Sequence, residues 1–280
     1  MARPLIEFVF AQHLPWTPGL PGGARDDVSA KILSADAATG AITALVRYPA
    51  GWRREVPERL AAEEEFYVLD GALIIDGQVY ARDTYACLPA GYARGAARSD
   101  AGCVTISFFD ATPAPARASM AADADVVKFL DVMAMRWDAS VADPTLAWMG
   151  NRRKVLKWDR QYDQKQTFLL SVPPHIYPEN WACPTLTHPC VEESFQLAGD
   201  TVGPHGRMTA GAYFWRPAGV PHGPFGSRDG GLSLIRFKHG KHINIWDTTP
   251  VPYRYDFPYT PVLPPDMAKF GAVYEGPLRY

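Results

Sequence analysis

Cysteine is scarce: four in 280 residues, Cys87, Cys103, Cys183 and Cys190, too few and too scattered for the disulfide framework of a small secreted domain. Long hydrophobic runs are missing as well. The opening MARPLIEFVFAQHLPW has an apolar stretch far too short to cross a bilayer and no small-residue cleavage site after it, so the expected location is the cytoplasm. Neither charge dominates: 28 Lys and Arg stand against 30 Asp and Glu, and the cations are scattered, which removes the electrostatic footprint of a nucleic-acid binder. Neither nucleic acid nor membrane is expected as a partner. Extended helical periodicity is also rare. In its place are 26 Pro, 23 Gly and 47% hydrophobic residues, which predict a turn-rich, all-β chain of short strands with ample core.

Two segments resemble one another at long period. The first runs from Lys31-Ile-Leu through ITALVRYPAG, Glu64-Glu-Phe-Tyr-Val-Leu-Asp-Gly71 and Cys87-Leu-Pro89-Ala-Gly91. The second runs from Lys154-Val-Leu through QTFLLSVPP, Glu192-Glu-Ser-Phe-Gln-Leu-Ala-Gly199 and Trp215-Arg-Pro217-Ala-Gly219. Glu64 to Pro89 and Glu192 to Pro217 are both 25 residues, whereas Lys to Glu is 33 in the first copy and 38 in the second. The extra residues fall most simply in HIYPENWACPTL, between 175 and 186. The Ala- and Pro-rich stretch between the copies reads as a linker. The expected division is an N-terminal domain over 1–112, a linker with short helices over 113–125 and a C-terminal domain over 126–280. Residues 126–136 fit a short helix or a strand equally well. Asp76-Gly77 predicts a hairpin turn.

In the second copy, Gly211-Ala-Tyr-Phe-Trp-Arg-Pro217-Ala-Gly219-Val-Pro-His222 places a histidine just past a Pro-Gly turn at a strand end, a metal-ligand position. His188-Pro-Cys-Val-Glu192 supplies a second histidine and a carboxylate. Side chains alternate along a strand, so Glu192, Ser194 and Gln196 are expected on one face, and Glu193, Phe195 and Leu197 on the other. The corresponding face of the first copy carries Glu64, Phe66 and Val68: one interior reads as filled, the other as wet.

These residues resemble the cupin superfamily, whose first motif is G-x5-H-x-H-x3,4-E-x6-G and whose second is G-x5-P-x-G-x2-H-x3-N. The second motif matches Gly211, Pro217, Gly219 and His222, with Gly226 in place of the final Asn. The first matches His188, Glu192 and Gly199, with Leu186 in place of the leading histidine. In the N-terminal copy Glu64, Gly71, Pro89 and Gly91 persist, and the histidine positions are assigned to Pro57, Arg59 and Arg94. The resemblance implies a bicupin of two tandem jelly-roll barrels, with ligands retained only in the C-terminal one.

It also implies a divalent metal on His188, Glu192 and His222, the two-His, one-carboxylate set typical of Fe(II), with Zn(II), Mn(II) and Ni(II) as alternatives. Since Leu186 removes a ligand, either a position stays open or the insertion supplies His175, Glu179 or Cys183, with His175 the best substitute. Glu193, Tyr177 and Gln196 are the candidates for catalytic roles. Tyr177, Trp181, Tyr213, Phe214 and Trp215 surround the motifs and suit a small aromatic or apolar substrate with oxygen functions. The expected activity is a non-haem dioxygenase. The alternatives are a Lewis-acid isomerase, cyclase, lyase or hydrolase, or a non-catalytic binding protein. A homodimer is expected by analogy. His205 reads as a hairpin residue, His239 and His242 as solvated loop residues, and Glu63, Glu64 and Glu65 as mostly surface charge.

Overall fold

The computed structural model describes residues 3–121, 124–140 and 144–280. Among these, helix is confined to the short 3-10 turns Ala11–His13, Pro144–Met149 and Ala268–Phe270. None falls among the described residues of 113–125, where short helices were expected. The ambiguous segment that follows contains the strand Val127–Asp131, paired antiparallel with Thr84–Leu88. No helix among the described residues is long and apolar enough to cross a membrane.

The chain divides into two compact units: Leu14–Met135 with Arg3 and Tyr280, and Pro4–His13 with Arg136–Arg279. The expected boundaries therefore shift at both ends. The N-terminal strand Ile6–Phe10 is buried at every position and pairs antiparallel with Ala212–Arg216. Phe8 and Phe10 share a core cluster with Met208, Ala212 and Phe214, so apolar burial places this strand in the second unit.

The two units use the same strand order. In the first, Glu64–Ile75 lies between Thr84–Leu88 and Cys103–Phe109, followed outward by Ile42–Tyr48 and Ser29–Ala35. In the second, Val191–Gly203 lies between Ala212–Arg216 and Gly231–Lys238, followed by Gln164–Val172 and Arg152–Asp159. Val127–Asp131 covers the open edge in the first and Ile6–Phe10 covers it in the second. A shared backbone requirement marks the repeat: Gly71 and Gly199 have φ of 69° and 62°. A Cβ there would lie 2.0 Å from the Gly102 carbonyl oxygen and 1.9 Å from that of Gly230, respectively. The expected hairpin forms at Asp76 and Gly77, both at positive φ.

The interiors differ. Tyr48, Phe66, Val68, Leu73, Tyr80 and Leu88 belong to one extensive core cluster in the first unit. Its aromatics meet edge-on, Tyr48 with Trp52 at 4.8 Å and Phe66 with Tyr80 at 5.2 Å between centroids. The second unit encloses a cavity of about 550 Å³ instead. The additional sequence at 175–186 forms an aromatic loop and the strand Ala182–Thr187, which pairs with Ile245–Pro252.

Candidate metal centre

Strand alternation places the central side chains. Glu192, Ser194 and Gln196 line the cavity. Glu193 faces the other way, where it takes a bond from the Tyr213 hydroxyl at 2.9 Å and an ion pair from Arg236. Its expected catalytic role is therefore corrected: Glu193 does not line the cavity and is held by Tyr213 and Arg236. Tyr213 and Trp215 share its strand face and do not line the cavity either, unlike Trp181 and Phe214.

His188 stands in the turn before Val191–Gly203, and its backbone carbonyl accepts the Gly219 N–H at 2.8 Å, tying the two motifs together. His222 is fixed by two backbone bonds to Leu186, each 3.0 Å. The ligand atoms of His188, Glu192 and His222 all lie within 4.8 Å of one another, and the three can hold a metal ion.

The hydrogen bonds suit that use. His188 Nδ1 is 3.0 Å from the Ile243 carbonyl and His222 Nδ1 is 2.9 Å from the Val220 carbonyl. A carbonyl can only accept, so each Nδ1 carries a proton, and in the neutral imidazole Nε2 is the lone pair that faces a metal. His222 Nε2 lies 3.5 Å from Glu192 Oε2. Burial pushes His222 down to about 4, so it is neutral at pH 7. Burial alone would raise Glu192, but His222, Arg216 and His188 outweigh it and hold the carboxylate near 2. With His222 neutral at that pH, Arg216 is the standing counter-charge. Its Nη1 donates to Glu192 Oε2 at 2.9 Å, while Nε and Nη2 grip Glu7 Oε1 and Oε2 at 2.5 and 2.9 Å. One cation between two carboxylates leaves one negative charge, a setting into which a divalent cation fits.

The equivalent place in the first unit is filled by protein. Glu58 and Arg94 exchange the backbone bonds that Leu186 and His222 exchange, and Gly91 donates to the Leu60 carbonyl as Gly219 does to His188. The four positions are therefore Glu58, Leu60, Glu64 and Arg94, which corrects Pro57 and Arg59. The Arg25 guanidinium joins the two carboxylates, with Nη2 2.8 Å from both Glu58 Oε1 and Glu64 Oε2. Arg94 lies 3.4 Å from Glu58 and 3.3 Å from Glu64. Burial would raise Glu64, but Arg25 and Arg94 hold it below the usual carboxylate range. The expected surface position of the acidic run is thus wrong for two members: Glu64 and Glu65 are buried, and Glu65 accepts the Tyr85 hydroxyl at 2.8 Å.

Of the other expected site residues, His175 lines the cavity but lies outside the ligand group, and its Nε2 donates to the Met149 carbonyl at 2.9 Å. The Tyr177 hydroxyl donates to the Phe225 carbonyl at 2.9 Å, and its ring stacks on Trp181 at 4.1 Å. Burial raises Tyr177, which makes it a poor proton carrier. Gln196 faces the cavity with its amide occupied: Nε2 donates to the Ala198 carbonyl, and Oε1 accepts from Ser233 and Thr201.

Sequence reasoning missed three residues. His242 lines the cavity, 4.7 Å from the His188 ring and stacked on Phe237 at 3.6 Å. Burial, then His188, pushes it down to about 3. Its surroundings in sequence, RFKHGKH, look solvated, and what turns it inward is long-range: Gln164, 78 residues away, accepts the His242 N–H on Oε1 at 2.7 Å. Glu7 and Arg216 meet across 209 residues, with no local signal at all.

Comparison with solved structures places this architecture. A candidate dioxygenase from Nostoc punctiforme PCC 73102 aligns over 90% of this chain and 92% of its own, at TM-score 0.73 and 18% identity. The fold is the cupin fold. YlbA from E. coli aligns over 84% of this chain and 92% of its own, at TM-score 0.53 and 11% identity. A variant of Bacillus subtilis oxalate decarboxylase aligns over 85% and 78%, at TM-score 0.50 and 11% identity. Residues 7–112 match the ChrR cupin-like domain, so the family signature lies largely in the half without histidine ligands. No curated protein matches the chain in sequence.

Proposed function

We propose that the second unit of this cupin is a metalloenzyme site holding one divalent ion on His188, Glu192 and His222. The favoured ion is Fe(II), and the proposed activity is a non-haem oxygenase acting on a small oxygenated compound with an apolar or aromatic body. One observation carries this reading. Two histidines give their Nδ1 protons to backbone carbonyls and leave two Nε2 lone pairs beside a carboxylate, on the wall of a cavity of about 550 Å³. Bound there, the ion would supply Lewis acidity and, if iron, dioxygen chemistry.

The chain supplies the surroundings. Trp148, Trp181, Trp246, Phe214 and Phe225 exclude water and match a flat apolar body. Ser194, beside Glu192 on the same face, offers a hydroxyl to orient an oxygen function. An oxygenase is favoured over non-redox Lewis-acid chemistry because Tyr177 and Glu193, two of the groups that would move a proton, are bonded elsewhere, and His175 lies outside the ligand group with its Nε2 proton given to Met149. The description of the Nostoc structure as a candidate dioxygenase agrees with this reading.

The test is oxygen uptake by protein reconstituted with Fe(II) or with Zn(II), across a panel of phenols and diketones. Uptake with iron and none with zinc is expected. A protein that purifies with zinc and consumes no oxygen with any panel member ends the oxygenase reading.

A further inference from the structure

Arg216 stands immediately before Pro217, where the first unit has Leu88 before Pro89, and its guanidinium is buried beside the ligand Glu192. A guanidinium next to a carboxylate makes the two-bond fork when it is free to do so. Here the fork is made with Glu7, at 2.5 and 2.9 Å. Glu192 receives a single N–H at 2.9 Å, on the oxygen that faces His222.

The first unit shows the other outcome. There Arg25, held by no third carboxylate but also donating to the Tyr48 hydroxyl at 2.7 Å, bonds both oxygens of Glu58 and both of Glu64, and a side chain stands where the second unit keeps its cavity. Glu7 itself lines a second, smaller cavity of about 310 Å³, whose wall shares Arg216 and His222 with the first. Its carboxylate meets the centre through the Arg216 fork.

We propose that Glu7 sets the metal affinity of the centre by holding Arg216 in a fork that keeps it from closing on Glu192. The N-terminal strand Ile6–Phe10 is then part of the site as well as a cover for the sheet edge. Glu7 is a positioning residue. This inference rests on the metal-centre reading, and its test separates the two.

Dissociation constants for Mn(II) and Zn(II) are measured by chelator competition on the wild type, Glu7→Gln, Glu7→Gln/Arg216→Lys and Arg216→Met, with circular dichroism as the folding check. Glu7→Gln is expected to weaken binding roughly 10- to 100-fold, the usual effect of losing an outer-sphere partner. Adding Arg216→Lys restores most of the loss, because a lysine keeps the charge but cannot form the fork. Arg216→Met binds at least as tightly as the wild type, and this variant tests the proposal even if Glu7→Gln fails to fold. Unchanged affinity in Glu7→Gln, no recovery with Arg216→Lys, or weaker binding by Arg216→Met overturns the proposal. A wild type that takes up no metal overturns the metal-centre reading itself, and this inference with it.

Discussion

Leu186 and His222 are joined by two backbone hydrogen bonds of 3.0 Å each, so the leucine at the unfilled motif position holds His222, a proposed ligand, in place through its main chain. Glu58 and Arg94 repeat the pairing in the first unit, at 2.7 and 2.9 Å. The frame is conferred by the fold, and the side chains placed on it decide whether a cation binds.

Leu186 lines the cavity next to His222, so Leu186→His adds a fourth ligand, a third nitrogen, without disturbing the backbone pair. The expected outcome is roughly tenfold tighter metal binding or more, about 1.4 kcal/mol, read by chelator competition. Equal or weaker binding by the folded variant would show that this position does not face the ion.

Glu192 and Glu193 are neighbours with opposite roles. Glu192→Gln should lose the metal. Glu193→Gln should keep it while losing about 3–5 kcal/mol of stability, because the change removes the carboxylate that pairs with the buried Arg236. Metal content and urea unfolding of the two variants check this, and the reverse pattern would mean that the strand register is wrong.

The first unit should be acid-sensitive through Glu64. Its folded pKa lies below the ordinary value, so the stability it contributes is present above about pH 4.5 and is lost as pH falls further. Arg25→Met should cost about 3–5 kcal/mol at neutral pH, since it removes the guanidinium that bonds both buried carboxylates and leaves them the longer contacts to Arg94. Scanning calorimetry from pH 7 to acid should show the difference between variant and wild type shrinking as Glu64 protonates, and a difference that grows toward acid contradicts the assignment.

Local pattern revealed much of this architecture. Gly71 and Gly199 each sit where a strand passes too close to a neighbouring carbonyl for any Cβ, so the repeat is written in residues that only one chemistry satisfies. That His188, Glu192 and His222 come together was legible because their spacing along strand and turn is also local. Glu64 misled because an acidic run looks solvated until its arginine partner, 39 residues earlier, is known. The domain limits shifted because the strand Ile6–Phe10 finds its partner Ala212–Arg216 only in the folded chain. Glu7, Arg216 and His242 owe their positions to long-range pairing, which no window of sequence contains.

The central claim is a single metal on the second unit, with Arg25 and Arg94 occupying the first. The most direct measurement is metal content per chain by plasma mass spectrometry, for the wild type and for His222→Ala after incubation with Fe(II), Mn(II) or Zn(II) and desalting. One ion per wild-type chain and none in the folded variant is the predicted result. Two ions per chain, or an unchanged content in His222→Ala, contradicts it.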